Sequence, residues 1–339
     1  YYTSVEYAGS YSLVTHGLED KTGEYVGYMV GDVNNSAVLF DMNNYSHHVV
    51  IADKYQDAKS RIYHSDKWAS KISQAALLSG HKVVHVILND CDLDAINPPL
   101  KNLTFKLDMN HGDINMFEIF SADNDELSAF PAQLQKLILM AEQAYETTDS
   151  DRSIIRGSLE DIATKYYIDQ GMWRHNAAQN KDALRILGIP HEQVPKLEMF
   201  ASYLDTEYKA MVNASQRDDE KLHALSVLQI TFHNLLSNNG DLFNTTTNSI
   251  MDNVGTGRRI IYDFSSLMRR GIGVAMAQLV NAIAYACAVV GNGDTIIFHG
   301  AENINSSVIP YIELQMRMLY HRGGRSAFVY NDINAMIDA

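Results

Sequence analysis

The stretch VVIADKYQDAKSR, residues 49–61, places a lysine and a serine where they could bind a phosphate. A nucleotide-binding P-loop follows a strand and reads Gly, four residues, Gly, Lys, then Ser or Thr at the start of a helix. Lys59 and Ser60 hold the last two positions of that layout, whereas Asp53 and Ala58 stand where the glycines would be. Glycines matter there because they let the backbone turn successive N–H groups onto phosphate oxygens.

Negative charge is a second departure from the P-loop layout. Asp53 and Asp57 bring carboxylates towards the place of the phosphates. Two like unit charges about 4 Å apart repel by roughly 4 kcal/mol at an effective dielectric constant near 20. A helix N-terminus attracts a phosphate by only about 0.3–2 kcal/mol. Lys59 has both acids nearby as ion-pair partners. The pattern therefore predicts a degenerate cofactor-binding loop made of Asp53, Asp57, Ala58, Lys59 and Ser60.

A second candidate site follows a later strand-like run, TIIF at 295–298. P-loop ATPases carry after such a strand an Asp that holds magnesium through water, and usually a Glu that orients the attacking water. His299 takes the Asp position and is a poor magnesium ligand, because that ion prefers oxygen. Glu302 is the nearest carboxylate, two positions beyond the expected Glu. We therefore expect no metal at His299 and treat Glu302 as a vestigial catalytic candidate.

The other histidines and the cysteines predict no metal site. His81 and His85 lie on one predicted strand, where four residues separate side chains by about 13 Å on the same face. Together with His47-His48 they are interpreted as surface or packed histidines. The two cysteines, Cys91 and Cys287, provide neither a disulfide framework nor a metal quartet. No Ser-His-Asp or Cys-His set stands at a recognisable spacing, although spacing alone does not exclude one.

The elements that position the loop predict a parallel sheet. Three β-rich runs, EYVGYMVG, SAVLFDM and HHVVIA, lie within residues 24–52. Apolar residues at helical spacing then predict a helix from Lys59 to a C-cap at Gly80. HKVVHVILND, residues 81–90, is the nearly continuous apolar run of a strand buried on both faces. Strand, helix and strand in this order form a βαβ unit, which favours parallel pairing.

Amphipathic helices are predicted through most of residues 125–255. Four segments carry the helical period and end in polar or Gly-containing breaks, at 127–146, 153–171, 195–212 and 218–240. From Arg259 the α/β alternation returns, with strands at 258–267, 294–300 and 326–332 and helices at 273–290 and 308–324. The sequence predicts an α/β core formed by 1–124 and 256–339, split by an all-helical insertion over 125–255.

The charge distribution bears on whether the protein binds nucleic acid. The formal net charge of −14 disfavours a broad nucleic-acid-binding surface, because affinity for the phosphate backbone depends on clustered Lys and Arg. Local basic patches remain at 258–259, 269–270 and 317–325, and helix ends or surface ion pairs explain such patches more often than ligands do. The Tyr-rich run at 1–14 could stack on nucleic acid, but an edge strand is the favoured interpretation.

Compartment and topology are also constrained. No run reaches the roughly 18 unbroken apolar residues of a membrane span. The nearest, Gly273 to Val290, is interrupted by Gln278 and Asn281 and predicts a buried helix. No secretory signal is visible, and the two cysteines suit a reducing, cytosolic setting. The chain opens at Tyr1 without a methionine, so we expect a fragment or a processed chain.

The ordered set of motifs resembles the conjugation ATPases of type IV secretion, members of the HerA/FtsK-like P-loop motor superfamily. The resemblance runs from about Gly27 to Asp338, and no single motif in it is specific. Its parts are GYMVGDVNNSAVLFD, DAKS, LLSGHKVVHVILND, GDINMFEIF, the helical block, IIYDFSSL, TIIFHGAENI and HRGGRSAFVYND. The resemblance implies a RecA/ASCE-type P-loop NTPase-like fold, a mostly parallel sheet flanked by helices with an inserted all-helical subdomain.

The resemblance also implies roles for residues near the C-terminus. Arg322 falls where the family places an arginine that can reach a neighbouring subunit's nucleotide. Asp332, in Tyr330-Asn331-Asp332, follows the strand that in the family ends in Thr-Gln. With no working nucleotide site to complete, Arg322 is expected to form an ion pair at a subunit contact or to have no function. Both residues are therefore vestigial catalytic candidates.

The resulting interpretation is a motor-like component of a conjugative DNA transfer or type IV secretion system that does not hydrolyse ATP. The chain would be a structural or docking subunit that binds other machine subunits, an active ATPase paralogue or copies of itself, in the cytoplasm at the inner face of the membrane. No cofactor is expected; ATP and Mg²⁺ would bind only if the degenerate site still admits them. One alternative is a divergent ATPase using Lys59 and Ser60 together with Glu302 or Asp332, and another is a nucleic-acid-binding module at 317–325.

Overall fold

The strands form two sheets. The structure is a computed structural model, and it describes residues 20–28, 36–41, 44, 48–144, 149–216, 218–248, 251 and 257–338. A small antiparallel hairpin and a six-stranded parallel sheet account for the strands. The strands are β1 (Glu24–Tyr28), β2 (Ala37–Phe40), β3 (His48–Ala52), β4 (Val83–Ile87), β5 (Thr104–Asp108), β6 (Arg259–Asp263), β7 (Thr295–His299) and β8 (Arg325–Tyr330).

Helices connect and cover the strands. They are α1 (His64–Leu78), α2 (Leu93–Ile96), α3 (Glu126–Ala144), α4 (Asp149–Asp169), α5 (Leu197–Val212), α6 (Asp219–Phe243), α7 (Ser265–Arg270), α8 (Ile272–Val289), α9 (Ile309–His321) and α10 (Ile333–Asp338). The predicted α/β fold with a mostly parallel sheet is therefore confirmed.

Strand order in the parallel sheet is β3-β8-β7-β4-β6-β5. Every residue of β4 and β7 is buried, as their continuous apolar runs predict for strands covered on both faces. The register places Ile87 of β4 beside His299 of β7, and Ala52 of β3 beside Tyr330 of β8. The three strands whose carboxyl ends carry the predicted site segments, β3, β8 and β7, are therefore adjacent. Strand β5 was not among the predicted elements.

Helix α1 starts later than the sequence predicted. It begins at His64, after the N-cap Tyr63, instead of at Lys59. Its C-terminus agrees with the prediction: Gly80 has φ +85°, a region that glycine enters without steric cost. The N–H of Gly80 donates to the Leu77 carbonyl and that of His81 to the Ala76 carbonyl. These two bonds form a Schellman motif that satisfies carbonyls at the helix end.

The helical segment lies between β5 and β6 in the chain. Its four helices, α3 to α6, match the predicted helical segments to within a few residues at most ends. Their apolar faces join the core residues of the sheet in one hydrophobic cluster that includes Leu137, Phe200, Phe232 and Phe298. The exact division at 125 and 255 stays a prediction.

Helix α8 is the most apolar element of the described chain. Among the described residues it is the one helix long and apolar enough to cross a membrane. Of its 18 residues, 67% are buried inside the protein. Its N-terminus contacts the C-terminus of α3, where a Cβ at Gly273 would collide with the carbonyl oxygen of Gln143. The buried helix predicted at Gly273 to Val290 is therefore confirmed as Ile272–Val289.

Predictions near the N-terminus fall partly beyond the described residues. The runs EYVGYMVG and SAVLFDM form β1 and β2 within the described ranges. The Tyr-rich run at 1–14 and His47 lie outside the described residues.

Candidate functional site

Three chain segments meet at the carboxyl edge of the parallel sheet. They follow β3, β7 and β8, and hydrogen bonds join them in pairs. The N–H of Asp53 donates to the Tyr330 carbonyl at 3.2 Å, and the N–H of Asn331 donates to Glu302 Oε2 at 3.2 Å. Ser65 Oγ, in the first turn of α1, donates to Asn331 Oδ1 at 2.6 Å. The edge therefore collects the predicted loop and the segments that carry Glu302 and Asp332.

Asp57 forms the centre of the turn after β3. Its Oδ1 accepts hydrogen bonds from the backbone N–H groups of Lys59 at 2.9 Å and Ser60 at 3.0 Å. Lys67 Nζ donates to the other carboxylate oxygen at 3.2 Å. The N–H groups of Ser60 and Lys59, followed by Lys67, hold the pKa of this carboxyl well below its usual range. Two backbone N–H groups at the positions that serve phosphate in a P-loop thus bind the chain's own carboxylate.

The rest of the turn is also paired within itself. The N–H of Asp57 donates to the Ile62 carbonyl at 2.8 Å, and that of His64 to the Tyr55 carbonyl at 3.0 Å. Gln56 and Tyr63 form an isolated antiparallel bridge. The segment is a short hairpin-like turn that ends before α1 begins. In a P-loop, Lys and Ser begin the helix, so the prediction that DAKS leads directly into the helix is wrong.

Lys59 does not form the ion pair suggested by the sequence. Among the described residues, Asp57 pairs with Lys67 at 3.2 Å, and Asp53 lies 3.8 Å from His64 Nδ1. Lys59, Ser60 and Ala58 are exposed on the turn. Lys67 was not predicted as the partner of Asp57, because it lies ten residues further along the chain and reaches Asp57 only through the first turn of α1.

His299, at the expected magnesium position, is buried in a chain of polar side chains. Its Nδ1 lies 2.7 Å from Asp66 Oδ1 on α1. Its Nε2 lies 3.0 Å from His85 Nδ1 on β4, and His85 Nε2 lies 2.9 Å from Ser73 Oγ on α1. All four side chains are buried. The interpretation of His85 as a packed histidine is confirmed, but its link to His299 and Asp66 was missed.

Burial decides the charge of His85. Desolvation, followed by the nearby His299 and Arg259, lowers the pKa of His85 well below its usual value. His85 is therefore neutral at physiological pH and carries one ring N–H. It can donate one hydrogen bond and accept one, which fits its position between Ser73 and His299.

Glu302 and Asp332 are both engaged in backbone hydrogen bonds. Burial raises the pKa of Glu302 against the lowering effect of the backbone bonds it accepts. One of those bonds comes from Asn331. Asp332 is exposed, and its Oδ1 accepts the N–H of Asn334 at 2.9 Å at the start of α10. Asp332 therefore acts as a turn-capping residue there.

Arg322 packs against its own chain. It follows the C-terminus of α9, and its Nη2 donates to the carbonyl of Cys287 on α8 at 2.6 Å. The side chain is partly buried. The arginine therefore contacts the C-terminal part of α8 and does not extend freely from the surface.

Four other arginines of the predicted basic patches are buried or paired. Arg259 is buried and donates to Thr104 Oγ1 at 2.7 Å. Arg269 lies 3.4 Å from Asp90, and Arg270 lies 2.8 Å from Asp241. Arg317 pairs with Glu313 one turn earlier on α9 at 2.9 Å. The ion-pair interpretation is confirmed for Arg269, Arg270 and Arg317.

Comparison with solved structures finds the same fold in two proteins. VirB4 of Thermoanaerobacter pseudethanolicus aligns over 95% of this chain and 80% of its own, with a TM-score of 0.69 and 14% sequence identity. The plasmid coupling protein TrwB, in complex with ADP and Mg²⁺, aligns over 92% of this chain and 68% of its own, with a TM-score of 0.51 and 10% identity. No family model and no curated protein matches the chain. The P-loop NTPase-like fold expected from the resemblance is confirmed.

Proposed function

We propose that this chain is a motor-fold component of a conjugative transfer or type IV secretion machine that serves as a docking or structural subunit and does not turn over ATP. Two observations support the placement in such a machine. The fold is shared with VirB4 over 95% of the chain, and the motifs follow the family's order along the sequence.

One observation carries the proposal that ATP is not used, namely the turn around Asp57. A P-loop binds phosphate because its backbone N–H groups point at the anion without another partner. Here the N–H groups of Lys59 and Ser60 donate to Asp57, and Lys67 neutralises the carboxylate. A phosphate entering this turn would have to displace an internal anion that is already hydrogen-bonded and paired. The residues present therefore do not fit a triphosphate.

The magnesium position supports the same proposal independently. Mg²⁺ binds oxygen ligands and keeps several waters in an octahedral shell. His299 offers nitrogen, and its Nδ1 lies 2.7 Å from Asp66 inside the core. Glu302 accepts the N–H of Asn331. No side chain here matches an Asp that holds hydrated magnesium beside a phosphate.

The partners follow from the proposal as expectations. A chain that keeps the motor fold but not the nucleotide site can still dock on other subunits of the machine, including an active ATPase paralogue or its own copies. Such a subunit would work in the cytoplasm, at the inner face of the membrane, held there by its partners.

Nucleotide titration tests the proposal. Isothermal titration of the full chain with ATP and Mg²⁺ is expected to show no binding, and phosphate release is expected to equal the buffer background with or without DNA. Lys59→Ala is the matched variant, because Lys59 is exposed and its substitution leaves the Asp57 turn intact. Micromolar ATP binding, or turnover that Lys59→Ala abolishes, would show instead that the chain is a divergent ATPase.

A further inference from the structure

Three potential metal-ligand atoms converge at the buried carboxyl ends of β4 and β7. Asp66, Cys91 and His299 each offer one donor atom, and these atoms all lie within 4.8 Å of one another. His299 Nδ1 lies 2.7 Å from Asp66 Oδ1 and 3.9 Å from Cys91 Sγ. The three residues come from α1, from the loop after β4 and from the end of β7, so the fold itself brings them together.

We propose that Asp66, Cys91 and His299 form a binding site for a zinc-type divalent metal ion. The inference does not depend on the proposed function, since such a site is compatible with either an active or an inactive motor fold.

The donor set selects the metal. One thiolate, one imidazole and one carboxylate are the ligands of Zn²⁺, at about 2.3 Å for sulfur and about 2.0–2.2 Å for nitrogen and oxygen. Mg²⁺ and Ca²⁺ require oxygen ligands, so the soft thiolate and the imidazole disfavour both. Separating Asp66 from His299 by roughly 0.6 Å, and drawing Cys91 closer, would place all three donors around one tetrahedral ion.

The second ring nitrogen of His299, Nε2, has the kind of hydrogen-bond partner found behind metal-binding histidines. A metal-ligating histidine usually donates its second ring N–H to a hydrogen-bond acceptor, which fixes its tautomer and orientation. His299 Nε2 lies 3.0 Å from His85 Nδ1, and His85 Nε2 lies 2.9 Å from Ser73 Oγ. With Nδ1 facing the metal, the Nε2–H donates to His85, which in turn donates to Ser73. Both ring nitrogens of each histidine in this buried chain are then used.

The charges also balance. A divalent ion with one carboxylate, one thiolate and a neutral imidazole has zero net charge, which avoids burying an uncompensated charge. Metal binding breaks the S–H bond of Cys91 and releases its proton to solvent, as metal coordination deprotonates a thiol. Three protein ligands leave a fourth position, which water can occupy from the partly exposed side of Cys91.

Cobalt spectroscopy tests the site. The probe is Co²⁺, added to the full chain after removal of any histidine tag and of metal by a chelator. We expect a thiolate-to-cobalt charge-transfer band and visible bands of tetrahedral intensity that saturate at one equivalent, and we expect Zn²⁺ to displace Co²⁺. The chain has two cysteines, so Cys91→Ala should abolish the charge-transfer band and the matched control Cys287→Ala should keep it.

A positioning variant separates a built site from adventitious binding. His85→Gln leaves the three ligands in place and removes the imidazole partner of His299, so we expect it to retain the band while weakening Co²⁺ affinity by about 10–100-fold. Absence of the thiolate band in the wild-type chain, its survival in Cys91→Ala, or its loss in Cys287→Ala alone would each overturn the proposal.

A measurement on the wild-type chain covers the case in which a variant fails to fold. X-ray absorption of the zinc-loaded chain should show one sulfur at about 2.3 Å and nitrogen or oxygen neighbours at about 2.0–2.2 Å. A zinc shell without sulfur would overturn the proposal regardless of the variants.

Discussion

At the scale of single residues, two positions decide what the edge of the sheet can bind. Asp57 binds two backbone N–H groups of its own turn, and His299 lies where the sequence comparison predicts a magnesium-binding acid in the motor family. Both are satisfied within the chain, Asp57 by Lys59, Ser60 and Lys67 and His299 by Asp66 and His85. Both side chains therefore have partners inside the chain, whatever else binds at this edge of the sheet.

Amide hydrogen exchange tests the role of Asp57. Asp57→Ala removes the acceptor of the Lys59 and Ser60 N–H groups, so the exchange of both amides, followed by NMR, should accelerate. Asp53→Ala is the control, because Asp53 Oδ1 accepts the N–H of Tyr55; it should accelerate Tyr55 and leave Lys59 unchanged. Unchanged Lys59 and Ser60 exchange in Asp57→Ala would contradict the geometry of the turn.

A double-mutant cycle tests the buried pair of Asp66 and His299, whose side chains are 1% and 0% exposed. His299→Ala leaves the Asp66 carboxylate buried without its partner, so we expect a loss of about 3–5 kcal/mol in the free energy of unfolding. Adding Asp66→Ala should cost less than the sum of the single changes, with a coupling of about 0.5–3 kcal/mol. Urea denaturation in the presence of a chelator measures both.

The control for this cycle is His111→Ala, a change at an exposed histidine that should stay within about 0.5 kcal/mol. Additive effects of Asp66→Ala and His299→Ala would show that the two side chains do not interact.

At the scale of elements, the sequence determined the helices better than the site. The bounds of α3 to α6 agree with the predicted segments because each buries one stripe at the helical period. Strand β5 was missed because its residues are mostly exposed or half-buried and give no continuous apolar run. The start of α1 was predicted five residues early, because Lys59 and Ser60 were assigned to the helix by their P-loop spacing.

Clusters of side chains from different elements could not be predicted from the sequence, for a physical reason. His299 is 214 residues from His85 and 233 from Asp66. Their meeting depends on β7 pairing with β4 and on α1 covering that part of the sheet. Local periodicity predicts that an element is buried but does not predict which neighbour it pairs with. The one available signal was a histidine within or at the end of each of two otherwise apolar strands.

The contact between α3 and α8 predicts that an alanine at Gly273 destabilises the protein, whereas an alanine at a glycine away from the contact does not. Gly273→Ala places a Cβ against the Gln143 carbonyl, so we expect it to destabilise the protein by about 1–3 kcal/mol through overpacking. Gly157→Ala is the matched control, because Gly157 lies inside α4 with no atom near its Cβ position. It should stabilise by about 0.4–1 kcal/mol, since alanine has less chain entropy to lose. Urea denaturation gives both values, and the same sign for both would refute the close contact.

Lys136 of α3 predicts a pH dependence at the same interface. Its Nζ donates to the Glu118 carbonyl and to Asn281 on α8, and burial lowers its pKa from 10.5 to about 7. Between these values the unfolded chain binds more protons than the folded one, so this residue makes stability rise with pH from about 7 towards 10.

Lys136→Met keeps the volume of the side chain and removes the titrating group. Urea denaturation at pH 7, 8 and 9 should therefore show the wild type gaining stability relative to the variant as pH rises. A constant difference between the two proteins across this range would show that Lys136 stays charged in the fold.

At the scale of the whole molecule, charge sets what the surface can attract. The net charge is −14, and the edge of the sheet adds Asp53, Asp57 and Asp332 to the exposed or half-exposed acids. Four of the arginines that suggested basic patches are buried or paired: Arg259, Arg269, Arg270 and Arg317. A polyanion approaching the protein therefore meets net repulsion, because 41 Asp and Glu residues outnumber 27 Lys and Arg residues.

DNA titration tests the consequence of this charge distribution. Fluorescence anisotropy with single- and double-stranded DNA is expected to show no binding that depends steeply on salt, because the net charge of −14 repels the phosphate backbone. A protein with 6–10 phosphate contacts would lose roughly 10³–10⁵ in affinity between 50 and 200 mM salt. The variant Arg317→Glu/Arg325→Glu reverses charge within 317–325 and should leave the signal unchanged. Steep salt dependence that this variant abolishes would establish a nucleic-acid interface there, since the effect would then require those two cations.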